Sequence, residues 1–169
     1  MKLIEAMKKV KDLQRKAEDI RKKISVHCAD LSFETPLYPD QRVQVRDWLQ
    51  AHRDLLKEIL HLRLSIQRTN LQTNVVIELG GVGVTKTIAE WIHRRRDLAK
   101  LDESAWNALT DRNLKEGVLQ TSQGEKIEAK IRRHFDPAER DKMIDLFRSE
   151  PTTVDATLEV TNAITDLIE

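Results

Sequence analysis

The segment from Asp40 to Asn70 constrains the fold of this chain more than any other stretch. Its inward-facing positions recur at alternating spacings of three and four, which is the pattern of a packed helix seam. The seam consists of Val45, Trp48, His52, Leu55, Ile59, Leu62, Ile66 and Thr69. One helix of this length spans roughly 46 Å at 1.5 Å per residue. The sequence therefore predicts a long central helix from residue 40 to residue 70.

A second apolar row widens the buried face of this central helix. It consists of Leu49, Leu56, Leu60 and Leu64. Between Leu55 and Ile66 the helix is apolar almost all round, and such a helix needs neighbours on more than one side. We expect those neighbours to include a second copy of the chain.

A first helix, over residues 1–26, has a seam of the same kind. It is formed by Leu3, Ala6, Val10, Leu13, Ala17, Ile20 and Ile24. The small side chains in this row allow close approach of an antiparallel central helix. Five glycines, four prolines and 34% charged residues suit solvated helices. The predicted fold is mainly α, an elongated antiparallel helical bundle or coiled coil that is oligomeric, with 1–169 as a single domain.

The remainder of the chain predicts two short strands and three helices. Residues 75–79 form a β-branched run closed by glycines, and residues 126–135 alternate with period two. We expect these two strands to pair as one small β-hairpin. Helices are predicted at 85–115, 137–149 and 152–168, where Pro137 and Pro151 mark helix starts.

Charge and cysteine content narrow the classes of function. A net charge of +1 argues against a dedicated nucleic-acid binder, because affinity for the phosphate backbone comes from a surplus of lysine and arginine. The single cysteine, Cys28, cannot form an internal disulfide, so a reducing cytoplasm is expected. No apolar run approaches the length of a membrane span, and the five histidines share no metal-ligand spacing. We expect no cofactor, no metal and no catalytic residue.

Several short stretches in a fixed order resemble a known group of proteins. They are Met1-Lys2-Leu3, Glu5-Ala6, Asp12-Leu13-Gln14, Ile66-Gln67-Arg68-Thr69-Asn70, the segment from Thr85 through Arg95-Arg96-Asp97-Leu98, and, more faintly, Asn162 to Leu167. Together they resemble an uncharacterised bacterial family of helical proteins that has been labelled septicolysin-like. The resemblance implies a coiled-coil-rich helical fold that assembles into oligomers. It implies no established activity.

The glycine-rich segment from Gly80 to Thr87 is a candidate anion site. Glycines before a helix start expose backbone N–H groups, and Lys86 and Thr85 lie beside them. The spacing is not that of a Walker motif, because Thr85 stands where that motif requires glycine. A purely structural connection from strand to helix accounts for the same residues.

Arginines at the ends of two helices form a second candidate. Arg68 and Asn70 close the central helix, and Arg95 falls on the apolar stripe of the helix predicted from residue 85. An unpaired guanidinium on that stripe would be costly, so Arg95 needs either a carboxylate from another helix or an anionic ligand. The predicted ligand-binding residues are Arg68, Asn70, Thr85, Lys86 and Arg95.

Two classes of function fit these observations. In the first, the chain is a non-enzymatic homo-oligomer that binds or sequesters a small anionic, nucleotide-like ligand at sites between subunits. In the second, it is a scaffold or adaptor whose product is the assembly itself. The arginines, the glycine-rich segment and the basic strand favour the first class, because a plain coiled coil needs none of them.

The apolar circumference of the central helix generates a prediction about assembly. We expect a stable homo-oligomer, a dimer or larger, because a monomer would leave one leucine row in water. Size-exclusion chromatography with light scattering measures this directly. A monomer mass at micromolar concentration would contradict the prediction.

Overall fold

The computed structural model describes all residues from 1 to 169. The chain is mainly helical, with 62% of residues in helices and two small antiparallel β-hairpins. No helix has the length and apolarity that crossing a membrane requires. The helices are α1 Leu3–His27, α2 Gln41–Gln72, α3 Ile88–His93, α4 Ala99–Asn107 and α5 Pro137–Ile164, with a π-helical segment Arg94–Leu98 between α3 and α4. The strands are β1 Asn74–Leu79, β2 Val82–Thr87, β3 Gly117–Gln120 and β4 Lys126–Ala129.

The chain divides into two compact units, whereas the sequence led us to expect a single domain. Unit one comprises Met1–Asn74, Thr87–Ala89 and Leu158–Glu169. Unit two comprises Val75–Lys86 and Glu90–Thr157. The last helix contributes residues to both units, which is a long-range feature that local sequence patterns do not carry.

Unit one is built on an antiparallel hairpin of α1 and α2. Lys9 of α1 pairs with Glu58 of α2, and His27 at the end of α1 contacts Trp48 near the start of α2, so the two helices run in opposite directions. Their contact buries a cluster made by Val10, Leu13, Ile59 and Leu62, with Leu55, Ile66 and Leu167 packed against it. The predicted seams of both helices are confirmed at these positions.

The two ends of the chain are joined to each other by backbone hydrogen bonds and to α2 by the side chain of Thr69. The Leu3 amide donates to the carbonyl of Thr165 at 2.9 Å, and the Leu167 amide donates to that of Met1 at 2.8 Å. Thr69 is fully buried, and its hydroxyl oxygen accepts the Ile168 amide at 2.9 Å. The same hydroxyl donates to the carbonyl of Ser65 at 2.8 Å. One buried side chain thus joins the end of α2 to the C-terminal segment.

The strand pairing differs from the pairing expected from the sequence. β1 pairs with β2 through the two-residue turn Gly80-Gly81, in which φ is +58° and +81°. Positive φ at both positions is the geometry of a tight hairpin turn, and glycine adopts it without steric cost. The strand predicted at 126–135 ends at Ala129 and pairs with β3. Local pairing is favoured because closing a short loop costs less entropy than joining two strands that are separated by about 50 residues.

The helix predicted at 85–115 begins later, ends earlier and is not regular. Residues up to Thr87 belong to β2, and the helical segment ends at Asn107. A π-helical turn closes i to i+5 hydrogen bonds and adds one residue to the turn. The residues that follow are therefore rotated about the helix axis, so that Ala99 is buried while Leu98 and Leu101 are exposed.

A single helix, α5, replaces the two helices predicted at 137–149 and 152–168. Pro151 lies inside it and removes one backbone donor, which normally costs about 3 kcal/mol in a helix interior. The residues on both sides are anchored, since Glu150 and Val154 are almost fully buried. Tertiary burial keeps the helix continuous through the proline.

Thr69→Val provides a test of the link between α2 and the C-terminal segment. Valine conserves the shape of the side chain but leaves the Ile168 amide without its acceptor, which we expect to lower the free energy of unfolding by about 1–3 kcal/mol. Urea denaturation followed by circular dichroism measures the change. Thr85→Val, at an exposed position of β2, is the matched control and should change the free energy by less than about 0.5 kcal/mol. Equal effects of the two variants would contradict this account of Thr69.

Candidate functional site

Unit two contains an open pocket of about 710 Å³. The β1–β2 hairpin, α3, α4 and α5 all contribute side chains to its wall. The volume lies within the range of roughly 300–1,000 Å³ that is usual for small-molecule sites. Apolar side chains make much of the wall, including Leu79, Val82, Val84, Met143 and Leu146.

Trp91 gives the pocket a rigid aromatic element. Its side chain is fully buried, and the indole Nε1–H donates to the carbonyl oxygen of Val75 at 3.0 Å. The amine of Lys86 lies 5.9 Å from the centroid of the Trp91 ring, within the range of a cation–π contact. The hairpin strand β2 thus delivers one cation to the aromatic wall of the pocket.

Arg94 forms the polar side of the pocket. Its guanidinium donates to both carboxylate oxygens of Glu150 at 2.7 Å each, and its Nη1 donates to Asp102. The Glu150 side chain is 2% exposed and that of Arg94 18% exposed. The hydrogen bonds from Arg94 to Glu150, with the one to Asp102, outweigh the opposing effect of burial and raise the pKa of the guanidinium above its usual range. Arg94 is therefore permanently charged and holds α5 against the helical segment that follows β2.

The π-helical turn explains why Arg94 rather than Arg95 occupies this position. The sequence pattern assigns the inner face to Arg95 by continuing a regular helix. In the structure the extra residue falls within Arg94–Leu98, so the inner face passes from Trp91 to Arg94 and then to Ala99. A guanidinium at the first π-helical residue can then reach Glu150.

Two lysines in the pocket have no carboxylate partner. Lys86 lies over the Trp91 ring and forms no ion pair, and Lys142 of α5 forms none either. Asp145 is the third carboxylate in the wall, and it lies 4.0 Å from Arg148 at the surface. Arg94 pairs with Glu150 and Asp102, so the two lysines are the cations of the pocket that have no ion pair.

Only Lys86 among the five predicted ligand-binding residues lines this pocket. Thr85 is exposed on β2. Arg95 is exposed, and its Nη1 donates to Asp155 of α5. Its position on a buried face was wrong, although a carboxylate from another helix does pair with it.

The other two predicted residues lie in unit one, on α2. Arg68 is exposed. Asn70 is partly buried, and its Oδ1 atom accepts no hydrogen bond. The structure therefore assigns the predicted residues to two different compact units, with Arg68 and Asn70 in one and Thr85, Lys86 and Arg95 in the other.

The glycine-rich segment does not have the structure of a phosphate loop. Gly80 and Gly81 form the turn of a hairpin, and β2 follows them instead of a helix N-terminus. The expected connection from strand to helix is thus a connection from strand to strand. The segment contributes to the pocket through Gly80 and through the strand side chains Val82, Val84 and Lys86.

Sequence reasoning missed Trp91, Arg94 and Lys142 as pocket residues. Trp91 is an apolar residue of a helix, and its sequence pattern gives no signal beyond that of a core residue. Arg94 carried a weak signal, as one member of the run Arg94-Arg95-Arg96, and the π-helical turn hid which arginine points inward. Lys142 carried no local signal, because its place in the pocket depends on how α5 folds back.

The histidines, cysteine and carboxylates of the chain form no group of three or more that could hold a metal ion. Cys28 is exposed, and its thiol lies 3.6 Å from the carbonyl oxygen of Ser25 in α1. His27 packs against the rings of Tyr38 and Trp48. These groups therefore belong to unit one and not to the pocket.

Comparison with known proteins gives one similar structure. It is the crystal structure of a functionally unknown conserved protein from Corynebacterium diphtheriae, with a TM-score of 0.58, 21% sequence identity and coverage of 99% of both chains. The two proteins share a fold. No family model matches the chain, and no curated protein matches it.

The burial of Glu150 leads to a prediction about stability. Arg94→Met leaves a buried carboxylate without its partner, so we expect it to lower the free energy of unfolding by about 3–5 kcal/mol. Arg95→Met removes an exposed ion pair and should cost at most about 1 kcal/mol. Chemical denaturation of the two variants makes the comparison.

A double variant separates the loss of the pair from the loss of packing. Arg94→Met combined with Glu150→Met removes both charges, and we expect it to recover most of the stability lost in Arg94→Met. If Arg95→Met is the more damaging single variant, the assignment of the inner position to Arg94 is wrong.

Proposed function

We propose that the chain is a binding protein for a small anionic, nucleotide-like ligand, which occupies the unit-two pocket. The observation that carries this proposal is the pair Lys86 and Lys142. Both lysines line a largely apolar pocket, and neither is neutralised by a carboxylate. A phosphate or carboxylate group on a ligand supplies the missing negative charge.

The rest of the wall suits the body of such a ligand. Val84, Met143 and Leu146 offer apolar surface, and Trp91 offers a rigid aromatic residue beneath Lys86. Ligand sites commonly combine a mainly apolar lining with a few convergent polar groups that fix orientation. A heterocyclic base against the apolar wall, with its anionic group at the lysines, uses both parts of the pocket.

The hydrogen bonding and exposure of the carboxylates in the pocket wall favour ligand binding over catalysis. A general acid or base must be able to exchange a proton with a bound substrate. Glu150 and Asp102 both accept hydrogen bonds from Arg94, so neither carboxylate is available for that role. The third carboxylate of the wall, Asp145, is 80% exposed and lies mainly in solvent. We infer that Arg94 and its two partners shape the pocket and do not act on the ligand.

The pocket is assembled from one chain, so the proposed site needs no second subunit. This differs from the sequence-based expectation of a site between subunits. Assembly into a homo-oligomer stays a separate prediction. We place the protein in a reducing cytoplasm, which is consistent with the free thiol of Cys28 at the surface.

A thermal melt against a panel of mono-, di- and cyclic nucleotides, with inorganic phosphate, tests the proposal. A ligand that binds only the native state stabilises it by RT ln(1 + [L]/Kd), about 2.7 kcal/mol at one hundred times Kd. We expect at least one nucleotide to raise the melting temperature of the wild type. Lys86→Ala and Lys142→Ala should each reduce that shift by more than half without lowering the melting temperature of the free protein.

Three controls have charged side chains outside the pocket. Lys100→Ala, Arg68→Ala and Arg95→Ala remove exposed cations, and all should keep the wild-type shift. Native mass spectrometry of freshly purified protein would reveal a ligand retained from the host. If no nucleotide or phosphate shifts the wild type, or if Lys100→Ala abolishes the shift as fully as Lys86→Ala, the ligand proposal is wrong and the scaffold alternative gains support.

A further inference from the structure

The outer face of α2 carries a row of exposed leucines. It consists of Leu49, Leu56, Leu60, Leu64 and Leu71, whose exposed fractions lie between 49% and 64%. At about 100° per residue they fall within roughly 40° of one line along the helix. The buried residues Leu62, Ser65 and Thr69 lie on the opposite side. This leucine row therefore points away from α1 and has no partner within unit one.

The charges of α2 are divided between its two sides. All six cations lie within roughly 80° of the leucine row, and all three acids lie more than about 100° from it. The cations are Arg42, Arg46, Arg53, Lys57, Arg63 and Arg68; the acids are Asp47, Asp54 and Glu58. Lys57 pairs with Asp54 at 3.2 Å, and the five arginines form no ion pair.

We propose that this face docks an amphipathic helix of another protein, one whose apolar row is flanked by aspartate and glutamate. The leucine row supplies a seam about 33 Å long from Leu49 to Leu71. Positions along it continue at spacings of three and four through Arg53 and Gln67, which is the spacing that two packed helices share. Acidic flanks on the partner complement the five unpaired arginines and select it over other amphipathic helices.

The sequence led us to expect a second copy of the chain against this leucine row, but a second copy of the same face is a poor partner for it. An antiparallel pair centred on Leu60 would match the leucines, because Leu49 would meet Leu71 and Leu56 would meet Leu64. The flanks of that pair would hold only cations, since each copy contributes Arg46, Arg53, Lys57 and Arg68 to the same side. Like charges across an interface oppose association.

An anionic membrane surface also fits this face less well than a helix does. Arg53 and Gln67 lie within about 20° of the centre of the leucine row. On a membrane these two side chains would enter the apolar layer with the leucines, where polar groups are costly. Against a helix, the Arg53 guanidinium can extend to a carboxylate at the flank.

Two designed peptides of 24 residues, labelled with fluorescein, test this proposal by fluorescence anisotropy. Both carry leucines at spacings of three and four; one has glutamate and the other lysine at all flanking positions. We expect the acidic peptide to bind the full-length protein at least tenfold more tightly than the basic peptide. Its affinity should fall when the salt concentration rises from 0.05 to 0.5 M, because counterions screen the flanking charges.

Three variants locate the binding. Leu60→Ser and Arg53→Glu change exposed side chains of the face, so they should leave the fold intact. Each should lower the affinity for the acidic peptide at least tenfold. Leu101→Ser removes an equally exposed leucine of α4 and should leave the affinity unchanged. Circular dichroism confirms that each variant is folded.

Each competing occupant produces a distinct result that would overturn the proposal. If both peptides bind with equal affinity, or if the acidic peptide does not bind, the arginines of α2 do not select an acidic partner. The protein can also be sedimented with vesicles of phosphatidylcholine and phosphatidylserine at 3:1. If the wild type sediments with the vesicles and Leu60→Ser does not, the face binds a membrane. If light scattering shows that the wild type is an oligomer and that Leu60→Ser is a monomer, a second copy of the chain occupies the leucine row.

Discussion

The buried contact between Arg94 and Glu150 is the interaction on which unit two depends. A guanidinium and a carboxylate removed from water repay their desolvation only when the geometry is good and the remaining donors are satisfied. Both conditions are met here, because Glu150 accepts two hydrogen bonds and Asp102 accepts a third. The contact fixes α5 beside the helical segment that follows β2 and so brings Lys142 into the same pocket as Lys86.

Unit one follows closely from the sequence because its information is local. Seams at spacings of three and four specify both helices of the hairpin, and Asp40 marks the start of α2 by accepting the Val43 amide at 3.0 Å. The residues predicted to face inward, such as Leu13 and Leu62, are buried. A helix seam repeats many times, so an error at one position does not change the prediction.

Unit two could be predicted only in part, since single residues decide its structure. One additional residue in the π-helical turn exchanges the roles of Arg94 and Arg95. Two glycines convert an expected helix start into a hairpin that positions Lys86. Because Glu150 and Val154 are buried, α5 stays continuous through Pro151. Each of these outcomes depends on contacts between residues far apart in the chain, which periodicity does not reveal.

The three tryptophans allow a direct test of where a ligand binds. Trp48 lies in unit one beside His27 and Tyr38, Trp91 lies in the pocket wall, and Trp106 lies on α4 outside the pocket. Fluorine NMR of protein labelled with 5-fluorotryptophan, assigned by Trp→Phe variants, reports on all three in one titration with a nucleotide. We predict a saturable shift of the Trp91 resonance with Trp48 unchanged. A titration that shifts the Trp48 resonance and leaves the Trp91 resonance unchanged would contradict the assignment of the site to unit two.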